Sequence, residues 1–437
     1  MMQATFFEPL RWREHPARVA VYNGGEELKV YYQVTAPRDL GAICKGRPVE
    51  ELPRILTLLG PAHHIASAVT LDRLFNVEPP PPAVNMRQAL LQTLVFSHHL
   101  RKLFFFLTSL EDPLADRHSA VRTLGPPRFL RHVFDEVMQC LSLAQEAAVI
   151  LGGRAEHPLT AAAGGVSRYV KPQSYNRLAE IGDTCVIFAV KFAEFCGGTL
   201  LNASEAGEAL NEVSPGPMSS MSMSDDADAA IVVSDRTGKE IDRFTPADVF
   251  DKVELFHEPW SYEPFACLKG KGRNVLAAAD GDGLYFVGPL ARLNRGLEPS
   301  TPKAEEERGR FIESLGPPPH FSLAAAYRAL LVELIQSAEQ MTVLYDQEKL
   351  TGPAVRTIPQ AIGQQAGAAI ESPQGLIVHR YRVDERGMVQ ELDILDTAAQ
   401  NNALHCRIAR RAVELSKYGN RTREETKKNI EASLLPF

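Results

Sequence analysis

No stretch of the sequence supplies the about 18 consecutive apolar residues a membrane-spanning helix needs. The longest apolar cluster, Leu100 to Leu110, is broken by Arg101 and Lys102. The first residues, Met1 to Arg18, lack the basic stretch and apolar run of a secretory leader, so a cytoplasmic location without membrane insertion is expected. There is no lysine- or arginine-rich run, and the net charge of −7 removes the electrostatic footprint of a nucleic-acid binder. The six cysteines, at 44, 140, 185, 196, 267 and 406, never stand in a C-x-x-C spacing, so zinc and iron–sulfur motifs fail. Buried free thiols are expected at all six.

What is present is enough apolar sequence, 45% of 437 residues, to bury one sizeable core or two linked ones. Apolar residues recur at helical spacing over Ala83 to Leu110, Pro127 to Leu151, Ser174 to Phe195 and Leu323 to Tyr345, the first of these after four prolines, Pro79 to Pro82. Four such helices predict a central bundle. Period-two alternation predicts hairpins over Arg18 to Val34, around Gly24-Gly25, and over Leu376 to Ile394, around Gly387. Ile231 to Phe286 reads as short strands and turns, and Ala403 to Ser416 as helix. Ser214 to Asp228, rich in Ser, Met and Asp, reads as a solvated flexible linker in which Met218, Met221 and Met223 bind no metal. The fold class expected is α+β, predominantly helical.

Residues 151 to 166, LGGRAEHPLTAAAGGV, set paired glycines on either side of a His-Pro step, a pattern suited to close backbone approach. The segment resembles the GGR-x-x-HP…PGGV block of nickel–iron hydrogenase large subunits. Further blocks similar to that family follow in its order: Lys45 to Leu56, Ala62 to Phe75, Gly288 to Asn294, Glu371 to Tyr381 and Gln400 to Ala412. Their wording is closest to the cytoplasmic, multimeric branch. The resemblance implies a large-subunit-like fold with peripheral β hairpins around the bundle. It also implies a partner-facing or scaffold role for His63, His64, Gly152, Gly153, Arg154, His157, Gly164 and Gly165.

The departures from the family pattern are concentrated. Where the family has R-I-C-G-I-C-P-x-x-H-H, this chain has Leu56 and Leu59 at the two cysteine positions. A leucine has no lone pair for a transition metal. The family's C-terminal D-P-C-x-x-C does not occur before Phe437, so the second metal motif is read as degenerate. The family arginine over the metals corresponds to Gln374, and its magnesium glutamate to Gly41, where no oxygen ligand remains. The proline–threonine pair corresponds to Thr397 and Ala398, and a remnant of the proton relay to Glu14. The adjacent pairs His63-His64 and His98-His99 point their rings to different helix faces, so neither pair makes a metal site alone.

The resemblance therefore implies a large-subunit-like component of a redox complex that has lost its nickel–iron site, with Leu56 and Leu59 sealing the vacated place. No cofactor is expected on this chain; iron–sulfur clusters are expected on a small-subunit-like partner, with further electron-transfer subunits beyond it. One alternative is an assembly scaffold for a hydrogenase. Another is an oxidoreductase subunit with new chemistry, such as reduction of a quinone or small organic molecule, in the emptied pocket. The organisation expected is a β-rich segment over 1–78, helix bundle over 79–212, linker over 213–230, mixed α/β insertion over 231–320 and second bundle part over 321–437.

Overall fold

A computed structural model describes residues 3–8, 10, 16–23, 28–36, 40–109, 131–197, 210–224, 230–276, 283–419 and 421–437. Glu14 and the Gly24-Gly25 turn lie outside them. Three antiparallel strands open the chain, β1 (Gln3–Phe7), β2 (Ala17–Asn23) and β3 (Lys29–Val34), with β2 in the middle. A short helix, Leu40–Cys44, precedes α1 (Pro61–Leu74), α2 (Pro81–Ser109) and α3 (Arg131–Gly152). The two-residue strands β4 (Ala161–Ala162) and β5 (Gly165–Val166) form a small hairpin before α4 (Tyr175–Cys196).

The next region holds β6 (Ser219–Met223), β7 (Ile231–Ser234), β8 (Glu240–Phe244), β9 (Val253–Phe256), β10 (Phe265–Leu268) and β11 (Tyr285–Phe286). Two helices follow, α5 (Pro302–Leu315) and α6 (Leu323–Leu344). A second three-stranded sheet, β12 (Gln365–Ser372), β13 (Gly375–Val383) and β14 (Val389–Leu395), leads into α7 (Thr397–Tyr418) and α8 (Arg423–Leu434).

The predicted bundle is α2, α3, α4 and α6, each packed on two of the others in a closed ring. α6 also packs on α5, and 15 of its 22 residues are buried, which explains why its sequence, LAAAYRALLVELI, is apolar nearly all round. Its start is fixed by Ser322, whose Oγ accepts the Ala325 N–H at 3.2 Å. Asp396 caps α7 in the same way, through Ala399 N–H at 3.0 Å. One large core joins the bundle to the first sheet and α7. A second lies under β6, β7 and β13, and a third between the Leu40–Cys44 helix, α1 and β13.

The linker expectation is corrected by the strand at Ser219–Met223. This strand lies inside a four-stranded sheet, β11-β6-β7-β8, paired antiparallel with β7 and parallel with β11. Met221 is buried in the second core, and Ser220 and Ser222 are buried with it. The run SSMSM alternates Ser and Met with the period of a strand, and small serines fit a covered sheet whose backbone groups are paired. Composition alone had masked that period. Asp225 to Asp228 lie outside the described residues.

Candidate functional site

Four segments meet around a cleft of about 430 Å³: Thr57 to His63, the middle of α2, the second half of α3 with Ala155 to His157, and the Ser372-Pro373-Gln374 turn. Gly60, at φ +143°, breaks the preceding 3₁₀ turn and Pro61 starts α1, which aims His63 at the cleft. The Ser372 to Gln374 turn is held by a backbone crossing. A Cβ on Gly288 would lie 2.8 Å from the Gln374 carbonyl oxygen, and one on Gly375 would lie 2.7 Å from the Gly288 nitrogen. That crossing gives the glycines of GPLARLN and SPQG their reason.

Of the two leucines expected at family cysteine positions, Leu59 is on the cleft wall. Leu56 is fully buried in the third core, beside Leu52, Leu71 and Tyr381. The expectation that the two seal the vacated place is therefore corrected. Leu56 fills a core, Leu59 makes one wall, and the space beside them stays open. No cysteine is among the described residues that line it, and all six thiols are free and buried elsewhere. Gln374 and Thr397 are brought together, with Thr397 Oγ1 donating to Gln374 Oε1 at 2.9 Å, while Ala398 is half-buried beside them. Gly41 sits in the Leu40–Cys44 helix, away from the cleft.

His64 is a structural clamp. The Ala161 N–H donates to its Nε2 at 2.8 Å, so Nδ1 carries the proton and donates to the Pro53 carbonyl at 2.7 Å. Burial, with Arg87 and Arg54 nearby, lowers its pKa to about 4 although the Pro53 bond opposes this. The unfolded imidazole binds more protons between pH 6.5 and 4, so stability falls as pH drops through that window. At pH 4.5 the loss from this group should reach about 2–3 kcal/mol. Urea unfolding at pH 7.5 and 4.5 checks it: His64→Asn should be less stable at pH 7.5 but lose markedly less on acidification, and an unchanged slope would clear His64.

None of the paired glycines is among the residues that line the cleft, and they serve close packing. Gly152 lies tight against Pro158 and Leu90, and Gly153, at φ +84°, ends α3 where Arg168 reaches the Val149 carbonyl at 3.1 Å. Arg154 and His157 are exposed, and His157 lines the cleft. Gly164 and Gly165 are buried against the backbone of Val355 to Thr357.

Two buried polar chains were not legible in the sequence. In the first, Tyr381 donates to Ser67 Oγ at 2.9 Å, so its oxygen accepts from His379 Nδ1 at 2.7 Å. His379 Nε2 then accepts from His63 Nδ1 at 3.0 Å. Burial and the neighbouring His63 hold His379 neutral. In the second, Arg292 grips Glu333 through two bonds of 2.6 and 2.7 Å and also bonds Glu371, while His99 Nε2 meets Glu333 at 3.0 Å. The Arg292 guanidinium, with the hydrogen bonds from Arg292 and His99, keeps Glu333 ionised against its burial, with a pKa of about 2, whereas burial raises Glu371. A lone Glu333 inside the apolar pattern of α6 was the available signal.

The long-helix bundle, the two outer three-stranded sheets and the glycine-gated turns define the large-subunit fold of nickel–iron hydrogenases. A solved NAD+-reducing NiFe-hydrogenase superposes with a TM-score of 0.84 at 23% identity, covering 99% of this chain and 97% of that one. The NiFeSe hydrogenase of Desulfovibrio vulgaris Hildenborough gives 0.70 at 14%, over 94% and 97%. The chain is a homologue of the hydrogenase large subunits. It is 26% identical to an iron-sulfur subunit of the F420-non-reducing hydrogenase of Archaeoglobus profundus, across 92% of this chain and 86% of that protein. With the NAD-reducing hydrogenase HoxS subunit beta of Cupriavidus necator it shares 24% identity over 95% and 88%. No protein-family model matches the chain. No described helix is long and apolar enough to cross a membrane.

Proposed function

We propose that this chain is a large-subunit-like component of a multisubunit redox complex, docked on an iron–sulfur small subunit, and without hydrogenase activity of its own. The donor set around the cleft carries this reading. A nickel–iron centre needs several thiolates at one point, and the described wall offers Leu59 and no thiol, with Leu56 built into an apolar core. These residues do not fit the group. The same holds for a hard cation at Gly41, which has no carboxylate to give. Iron–sulfur clusters then belong to the partner, and the complex works in the cytoplasm.

The openness of the cleft favours a second reading in which the same subunit binds a molecule where relatives hold metals. A space of about 430 Å³ with apolar walls and several polar groups is of the size and character small ligands use. Both readings share one test. Purified with its neighbours, the chain should contain no stoichiometric nickel, take up no hydrogen, and bring an iron–sulfur protein with it. Stoichiometric nickel with hydrogen uptake would overturn the first reading, and co-purification of no iron–sulfur protein would remove its partner.

A further inference from the structure

We propose that the cleft binds a small organic acid, with the Arg101 guanidinium taking its carboxylate and the apolar wall taking its body. The inference rests on the reading that the cleft holds no metal centre.

Arg101 projects from α2 into the cleft one helical turn after His98. Other arginines of low exposure here are committed: Arg87 to Asp72, Arg292 to Glu333 and Glu371, Arg380 to Asp393. Among the described residues Arg101 makes no ion pair or hydrogen bond. A guanidinium in a concave, half-desolvated place without an anion is an unmet charge. Its planar fork matches a carboxylate through two parallel N–H···O bonds.

The surroundings agree with an anionic guest. Beside Arg101 the ionisable groups among the described lining residues are three histidines, His63, His98 and His157, and a single acid, Glu156. Gln374 supplies a neutral donor. Its Oε1 is occupied by the Thr397 hydroxyl, which leaves the amide N–H₂ to reach a ligand oxygen. Leu59, Leu94, Ala148 and Ile377 add apolar surface to the same cleft, so the guest is an acid with a hydrocarbon or aryl body and not a bare inorganic anion. Inorganic phosphate would leave that surface wet.

The test uses para-fluorobenzoate and its neutral counterpart, para-fluorobenzamide, titrated into the full chain and followed by fluorine NMR. The acid should bind at least about tenfold tighter than the amide, one charge-assisted pair being worth that much. R101Q should lower acid affinity by about tenfold and leave the amide unchanged. R101K, which keeps the charge and loses the fork, should fall between. E156Q should tighten the acid by removing the opposing carboxylate. Equal binding of acid and amide would sink the proposal, as would loss of neither on R101Q in protein that melts like the parent. Acid binding by the isolated chain but not by its complex would also overturn it, because Arg101 would then serve the partner's own side chains. Stoichiometric nickel in the purified chain would instead bring down the reading of the cleft as metal-free, a result independent of the acid and amide comparison.

Discussion

Gly164→Ala is expected to abolish soluble folded protein or to lower stability by more than about 4 kcal/mol, a loss few single substitutions cause. Gly164 sits at φ +76°, and a Cβ there would lie 1.9 Å from the Thr357 carbonyl oxygen. That oxygen belongs to backbone and cannot swing aside. Thr357 N–H donates to the Gly164 carbonyl at 2.8 Å, so the two chains are locked in the approach the methyl forbids. Gly164 N–H also donates to Asp72 at 2.7 Å, and a displaced hairpin would take that bond with it. Gly309→Ala is the matched control: Gly309 lies within α5 with nothing inside 4 Å of the added carbon, so alanine should be neutral or stabilising by up to about 1 kcal/mol. Urea midpoints and soluble yield of the two variants give the comparison. Similar behaviour of both would mean that the hairpin is not held against Val355 to Thr357.

The reason this could be anticipated as a close approach, but not as a particular clash, lies in what sequence encodes. Glycine pairs around His157 announced that backbone comes near something. Only the fold names the 355–357 segment, almost two hundred residues away, as that something. Long amphipathic periods are local, and the four bundle helices fall within a few residues of where their apolar spacing puts them. The strand at Ser219–Met223 was lost because its alternation runs between serine and methionine, and composition there reads as solvated chain. The block resemblance made Leu56 and Leu59 equivalent. In space they part, one into a core and one onto a wall.

The polar chains were hidden for a different reason. His379 and Tyr381 lie two residues apart on β13 and so share one face of the strand, which is a local fact. Their partners His63 and Ser67 lie more than three hundred residues earlier, on one face of α1, which is not. The same holds for Arg292, Glu333 and Glu371. Each looks like an ordinary surface charge until α6 is seen to be buried on most of its circumference. Close backbone crossings and buried ion pairs tolerate no change of shape, whereas a cleft wall can exchange one side chain for another provided nothing behind it moves.

Asp72→Ala should cost about 3–5 kcal/mol, the usual consequence of leaving one member of a buried pair without its partner. Asp72 Oδ2 accepts from Arg87 at 2.5 Å, and both side chains are nearly covered. Arg87 further donates to the Gly165 carbonyl at 2.7 Å and the Ala162 carbonyl at 2.5 Å, so the pair pins the β4–β5 hairpin to α1 and α2 at once. Arg87→Met should be severe as well, since it strands a carboxylate and two carbonyls, although Asp72 keeps the Gly164 N–H. Combining Asp72→Ala with Arg87→Met removes both buried charges, so the double variant should be less damaged than the sum of the singles by more than about 1 kcal/mol. Urea unfolding of the four proteins measures that coupling. Strict additivity would show that the two side chains act separately and not as a coupled pair.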